Sequence, residues 1–435
     1  MRTLKRRDFL QAGGLALGGA ILTSRLALAR TGANKSRFVF IIMRGALDGL
    51  AAAPPYGDPD YAGLRRELAL KTPGTSGGAL PLDGFFGLHP SLAFLQDSYT
   101  ARELVVFHAI ASPYRDRSHF DGQDVLENGG AQPHVAQTGW LNRALASVQA
   151  GHGKELGVAL GQNFPLVMRG PASVTSWSPS KLAALDDDTL ERISDLYAGD
   201  PLLASRLADA VAADAIANAP ADGAMAAAAS PFAATELQAS APSAQGQPSD
   251  DMHTNQSLLQ RGKPMRYTEV VRAAAGFLRR EDGPQVAVFD TTGWDTHANE
   301  GNAEGQLAGR LAALDGGLRT LKHELGPTWS DTAVLLATEF GRTAATNGTR
   351  GTDHGTATAA FLLGGAVQGG RVLADWPGLS SRALYQGRDL KPTADLRSVL
   401  KGLLSEHLLV PTSALESLVF PGSADARPIK GLIRA

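Results

Sequence analysis

Three short polar clusters hold the residues best suited to chemistry: Gly293-Trp294-Asp295-Thr296-His297, Thr338-Glu339-Phe340-Gly341-Arg342 and Thr352-Asp353-His354-Gly355. Carboxylates and imidazoles gathered in this way are the donors of a divalent-metal site, and such a site activates water or an ester for hydrolysis. The sequence contains no cysteine. That removes disulfides, thiolate ligands and a cysteine nucleophile together, so any metal must be held by oxygen and imidazole. Zinc, manganese, magnesium and calcium are the ions this leaves in view.

The clusters need elements to position them. Short apolar runs at 38–43, 104–107, 286–289, 333–337 and 360–363 lack alternation, as strands buried on both faces do. Stretches 267–280 and 305–325 place apolar residues at three- and four-residue spacing, the period of an amphipathic helix. Strand and helix in alternation predict an α/β fold with a mostly parallel central sheet and helices on both faces. Such sheets bind ligands beyond the carboxyl ends of their strands. There the sequence places Arg44, Gly45 and Asp48, then His108, Arg115, Arg117, Ser118, His119 and Asp121, then Asp290, Asp295 and His297, then Glu339 and Arg342.

Asp353 and His354 precede their strand instead of following one. Residues 341–358 contain Asn347-Gly348, Gly351 and Gly355 and no helical period, which disfavours a parallel crossover. The run near 359–363 is therefore predicted to be antiparallel, returning Asp353 and His354 to the edge that carries Glu339. Asp48, Asp295, His297, Glu339 and His354 are expected to converge there.

Composition narrows the class. The chain has 435 residues, 19% of them charged, and a formal net charge of -2. No basic field exists to hold nucleic acid. At the amino end Arg6-Arg7-Asp8-Phe9-Leu10 precedes an apolar, glycine-broken stretch and then Ala27-Leu28-Ala29. This reads as a twin-arginine signal peptide over 1–29, cleaved before a single domain spanning 30–435. The expected location is periplasmic or secreted, with no stable membrane insertion after cleavage. Residues at about 200–250 are rich in Ala, Ser and Pro and read as an insertion, part helical, either a lid or a surface decoration.

The order of motifs, from Arg44-Gly45-Ala46-Leu47-Asp48 through Arg117-Ser118-His119-Phe120 to the three clusters, resembles the family numbered 1501 among domains of unknown function. That family is itself similar to the alkaline phosphatase and sulfatase superfamily. The resemblance implies a three-layer sandwich and a phosphate or sulfate ester substrate, a small molecule or a glycan. It implies metal ligands at Asp48, Asp295, His297, Glu339, Asp353 and His354, with Phe340 standing where the superfamily has a ligating histidine. It implies Ser118 as nucleophile at a helix start, although a helix cap explains the same residue. Arg44 and Arg342 are the candidates to grip a tetrahedral anion, or else to pair with nearby carboxylates. Two functions follow: an exported metal-dependent ester hydrolase, or a non-catalytic envelope binding or assembly protein on the same fold. Nothing in the sequence points to a protein partner.

Overall fold

The computed structural model describes residues 35–148, 156–179, 187–197, 199–217 and 267–434. The expected signal peptide and most of the expected insertion lie outside them.

Strand β1 (Arg37–Arg44) sits at the centre of the main sheet because its side chains have apolar partners on both faces. Val39, Ile41 and Met43 enter one core, and Phe38, Phe40 and Ile42 enter the other. All six are fully buried, each contributing roughly 1.5–3 kcal/mol of transfer free energy. The remaining strands are β2 (Leu104–Ala111), β3 (Gly157–Leu160), β4 (Val174–Trp177), β5 (Val286–Thr292), β6 (Thr332–Ala337), β7 (Thr358–Leu363), β8 (Arg371–Leu373) and β9 (Ala394–Asp395). Their order is β8-β2-β7-β6-β1-β5-β3-β4, with β9 also pairing β2. β1 runs parallel to β5, with Ile41 opposite Phe289, and parallel to β6, with Ile41 opposite Leu336.

Among these strands β7 alone is antiparallel, to both β2 and β6. The cause is the glycine-rich return after β6 that the sequence displays. Thr343 N donates to Asp353 O (2.8 Å) and Gly355 N to Gly341 O (2.8 Å), and Arg342 bridges His354 antiparallel. Asp353 and His354 are thereby folded back onto the end of β6.

Helices cover both faces. On the Val39 face lie α1 (Gly49–Ala52), α2 (Ala93–Thr100), α3 (Tyr267–Arg279) and α4 (Gln306–Leu325), the last burying Leu307, Leu311, Leu314, Leu318, Leu321 and Leu325. On the Phe38 face lie α5 (His119–Asn128), α6 (Trp140–Val148) and α7 (Leu396–Glu406), whose Leu126, Trp140 and Val399 join that core. Two more helices, Asp187–Tyr197 and Pro201–Ala217, precede the undescribed part of the expected insertion. No helix among the described residues is long and apolar enough to cross a membrane.

His108 shows how burial decides a histidine's role. A bulge in β2 after Phe107 turns it inward, where Nε2–H donates to Ala53 O (2.9 Å) and Nδ1 accepts from Ala109 N (2.8 Å). Burial lowers its pKa to about 4, so it is a neutral core imidazole.

Candidate metal centre

Three imidazoles meet at the carboxyl ends of the central strands. His119 stands at the first position of α5, His297 in the loop after β5, and His354 in the return that leads to β7. His119 Nε2 lies 2.9 Å from His354 Nε2, and His297 Nε2 lies 3.0 Å from the same atom. The Asp295 carboxylate completes the group: Oδ1 is 3.0 Å from His297 Nε2 and 3.2 Å from His354 Nε2, and Oδ2 is 3.4 Å from His119 Nε2.

The opposite nitrogen of each ring faces an oxygen. His119 Nδ1 donates to Glu339 Oε1 (2.8 Å), His354 Nδ1 to Arg117 O (3.0 Å) and His297 Nδ1 to Asp353 Oδ1 (3.3 Å). An oxygen acceptor requires the proton on Nδ1, so in the neutral rings all three Nε2 lone pairs point inward. Lone pairs this close repel unless a cation lies among them. Ligating histidines are oriented in just this way by carboxylates and carbonyls. Three imidazole nitrogens and one carboxylate oxygen form a donor set that zinc favours and manganese or iron accepts. The residues present therefore fit a divalent metal. The ligand atoms of His119, Asp295 and His354 lie within 4.8 Å of one another.

Electrostatics agree. Burial opposes charge on Asp295, yet its bonds to His119 and His354 and the adjacent Arg342 guanidinium hold its carboxyl well below the usual range. Burial also opposes charge on His119, but Asp295 and Glu339 outweigh it and raise its pKa to about 9. A positive charge is thus favoured at His119, and a metal entering the site displaces that proton.

Local sequence explains the close packing. Gly45 has φ of +118°, and a Cβ there would stand 2.8 Å from Asp295 N. Its own N–H donates to Glu339 Oε1 (2.9 Å), which also accepts from Gln123 Nε2 (3.1 Å), while Oε2 accepts from Thr338 Oγ1 (2.8 Å). With its oxygens so occupied, fully buried Glu339 orients His119. Asp353 orients His297 similarly and is itself held by Asn347 Nδ2 (3.1 Å).

Asp48 points elsewhere. Its Oδ1 caps α1 by accepting from Leu50 N (3.0 Å) and Ala51 N (3.1 Å), and its Oδ2 pairs with Arg65. Arg65 is fully buried and also faces Glu300 Oε1 at 3.6 Å. A guanidinium thus occupies the space between two buried carboxylates, and Asp48, expected as a metal ligand, is engaged there instead.

The candidate arginines are likewise engaged within the protein. Arg44 binds Asp290 (2.6 Å) and Glu127 (2.8 Å), and buried Arg342 binds Asp295 and Thr352. Both pair with protein groups, fixing loops. Arg115 donates to backbone oxygens of Ser112 and Tyr114. Ser118 occupies the N-cap of α5, but its side chain makes no capping bond. Phe340 is buried against His119 and His354, whereas Trp294 is buried in the core that holds Val39 and its Nε1 donates to Thr291 Oγ1 (3.0 Å).

Arg65 and Glu300 were not among the sequence candidates, and His119 was placed at the strand ends without a metal-binding role. For His119 a signal existed, since it adjoins Ser118 in the quoted motif. For Arg65 and Glu300 none existed, because only the fold brings them to Asp48.

A family model described as Protein of unknown function (DUF1501) matches residues 107–412. No curated protein matches. Among solved structures, the crystal structure of the C-terminal periplasmic domain of EcEptC from Escherichia coli in complex with Zn is similar at 11% identity. That alignment covers 77% of this chain and 74% of that chain, with a TM-score of 0.31.

Proposed function

The chain belongs to the DUF1501 family of proteins of unknown function, and we propose that it is an exported, single-domain, metal-dependent hydrolase of a phosphate or sulfate ester. The observation that supports this most is the arrangement of three histidines, each with Nδ1 tied to an oxygen and Nε2 turned toward Asp295. The ester class and the alkaline-phosphatase-like relationship rest on the order of motifs in the sequence.

A divalent ion at these donors supplies Lewis acidity toward an ester oxygen. The chain's own groups prepare the place. Glu339, Asp353 and the Arg117 carbonyl keep the Nδ1 protons fixed, so the Nε2 atoms stay available. Arg342, fully buried, holds Asp295 ionised and in register. Phe340, which packs on the His119 and His354 rings, closes the inner side against water. Ser118 adjoins His119 at the amino end of α5, where free amides and the helix dipole favour an anionic oxygen. Its hydroxyl is free of the capping role and is the candidate to attack the ester.

His119 also bears on the non-catalytic alternative. Phe340 cannot bind metal, and His119, stacked on it from a different strand end, turns its Nε2 toward His354 and Asp295.

The test is elemental analysis of the full chain purified from its native compartment, followed by assay with aryl phosphate and aryl sulfate esters. The expected result is one transition-metal ion per chain, lost in His119→Ala, His297→Ala and His354→Ala and kept in His134→Ala, a residue that is exposed and outside the site. Hydrolysis should require the metal and fall in Ser118→Ala. Absence of stoichiometric metal from the wild type, or an inert metal-loaded protein, overturns the proposal.

A further inference from the structure

A groove of about 240 Å³ opens beside the metal centre, lined among others by Leu64, Leu384, Thr346, Asn347, Asp353 and Arg388. We propose that it is a subsite for one neutral monosaccharide unit of the substrate, the part that carries the ester to the metal. The inference rests on the reading of the three-histidine cluster as the reacting centre.

Two walls of the groove are tied directly to that centre. Asp353 uses Oδ1 for His297 Nδ1 (3.3 Å) and Asn347 Nδ2 (3.1 Å), and Oδ2 engages no hydrogen-bond partner among the described residues. Arg388 donates through Nη2 to His354 O (2.6 Å), while its Nη1 lies 3.6 Å from Asp389 Oδ1, beyond hydrogen-bond reach. A ligand between Asp353 and Arg388 is thus one residue removed from both His297 and His354.

The chemistry of the lining selects the class. The Asp353 carboxylate and the Arg388 guanidinium both line the groove. An anionic group is repelled by this carboxylate and a cationic one by Arg388. A purely apolar group would strip both charges of water without replacing the hydrogen bonds. Adjacent hydroxyls satisfy both walls, because each hydroxyl donates to a carboxylate oxygen and accepts from a guanidinium N–H. Leu64, Leu384 and Ala345 offer an apolar surface of the kind the C–H face of a sugar ring covers. The volume is below that of a site for a drug-sized ligand and suits one ring.

Binding can be read without catalysis. Saturation-transfer NMR on the zinc-loaded full chain is run with methyl glycosides of glucose, galactose, mannose and N-acetylglucosamine, and with phenol and alanyl-alanine. At least one glycoside should bind, with affinity reduced tenfold or more in Arg388→Gln and measurably in Thr346→Val, each retaining wild-type zinc content. No binding across the glycosides, binding that both variants leave intact, or binding of alanyl-alanine or phenol in their place overturns the proposal. Zinc stoichiometry measured on the same samples reports separately on the metal centre: failure of one result leaves the other readable.

Discussion

The imidazole of His119 lies on the ring of Phe340, their centroids 5.0 Å apart and their planes 29° from parallel. Phe340 follows β6, at the position where the sequence resemblance places a ligand, and it is also 5.4 Å from the His354 ring. The aromatic residue that removes one donor therefore supports two others.

Phe340→Leu should keep the fold and loosen His119, since a branched aliphatic chain fills part of the volume without a flat face. Metal affinity should fall while the circular dichroism spectrum stays unchanged. Phe340→Ala should add about 3–5 kcal/mol of destabilisation in urea unfolding, because the ring is buried against α5.

Glu339→Gln and Asp353→Asn remove charge behind His119 and His297 while keeping side-chain shape. Loss of such an orienting carboxylate weakens metal binding by roughly 10- to 100-fold. Chelator competition measures it. Equal affinity in wild type and both variants would show that these carboxylates do not orient the ligands.

Arg65→Met leaves Asp48 and Glu300 buried without their cation. Removing one partner of a buried ion pair is strongly destabilising, about 3–5 kcal/mol. Urea denaturation should show that loss. The zinc content of the folded fraction should remain at the wild-type level, since Arg65 belongs to the buried pair and not to the donor set.

Glu300 makes stability depend on pH. Burial and the neighbouring Asp48 raise its pKa from 4.5 to about 8. Between those values the unfolded chain has lost the Glu300 proton and the folded chain retains it, so this group's contribution favours the fold at low pH and declines as pH rises toward about 8. Asp48 is shifted downward and acts below its ordinary 3.8, outside that window. Glu300→Gln should flatten the slope of unfolding free energy against pH between about 4.5 and 8, as followed by urea melts across a pH series.

Much of the sheet was legible because its strands are continuous apolar runs. The 38–43 run could hardly be anything else, and the glycines of 341–358 gave away the antiparallel return. Asp295, His297 and His354 were legible as chemistry because each sits in a polar cluster beside a strand. His119 was legible as a strand-end group but not as a ligand, since Ser118 next to it competes for the same helix start. Asp48 looked like a ligand because an aspartate beyond the first strand has two uses, and only the distant Arg65 decides between them. Glu300 and Arg65 carry no local pattern at all, and their meaning arises from burial in one another's company.

The donors of the metal centre are far apart along the chain: His119 and His354 are separated by 235 positions, and Asp295 and His354 by 59. An unfolded chain offers no more than fragments of the set, so the ion binds the folded form and stabilises it, by ~2.7 kcal/mol when free metal is at 100 times Kd. Capture must wait until the sheet has closed and β7 has returned. An ion held by these donors would therefore record the metal supply of the compartment where the chain folded, whatever compartment it goes on to serve.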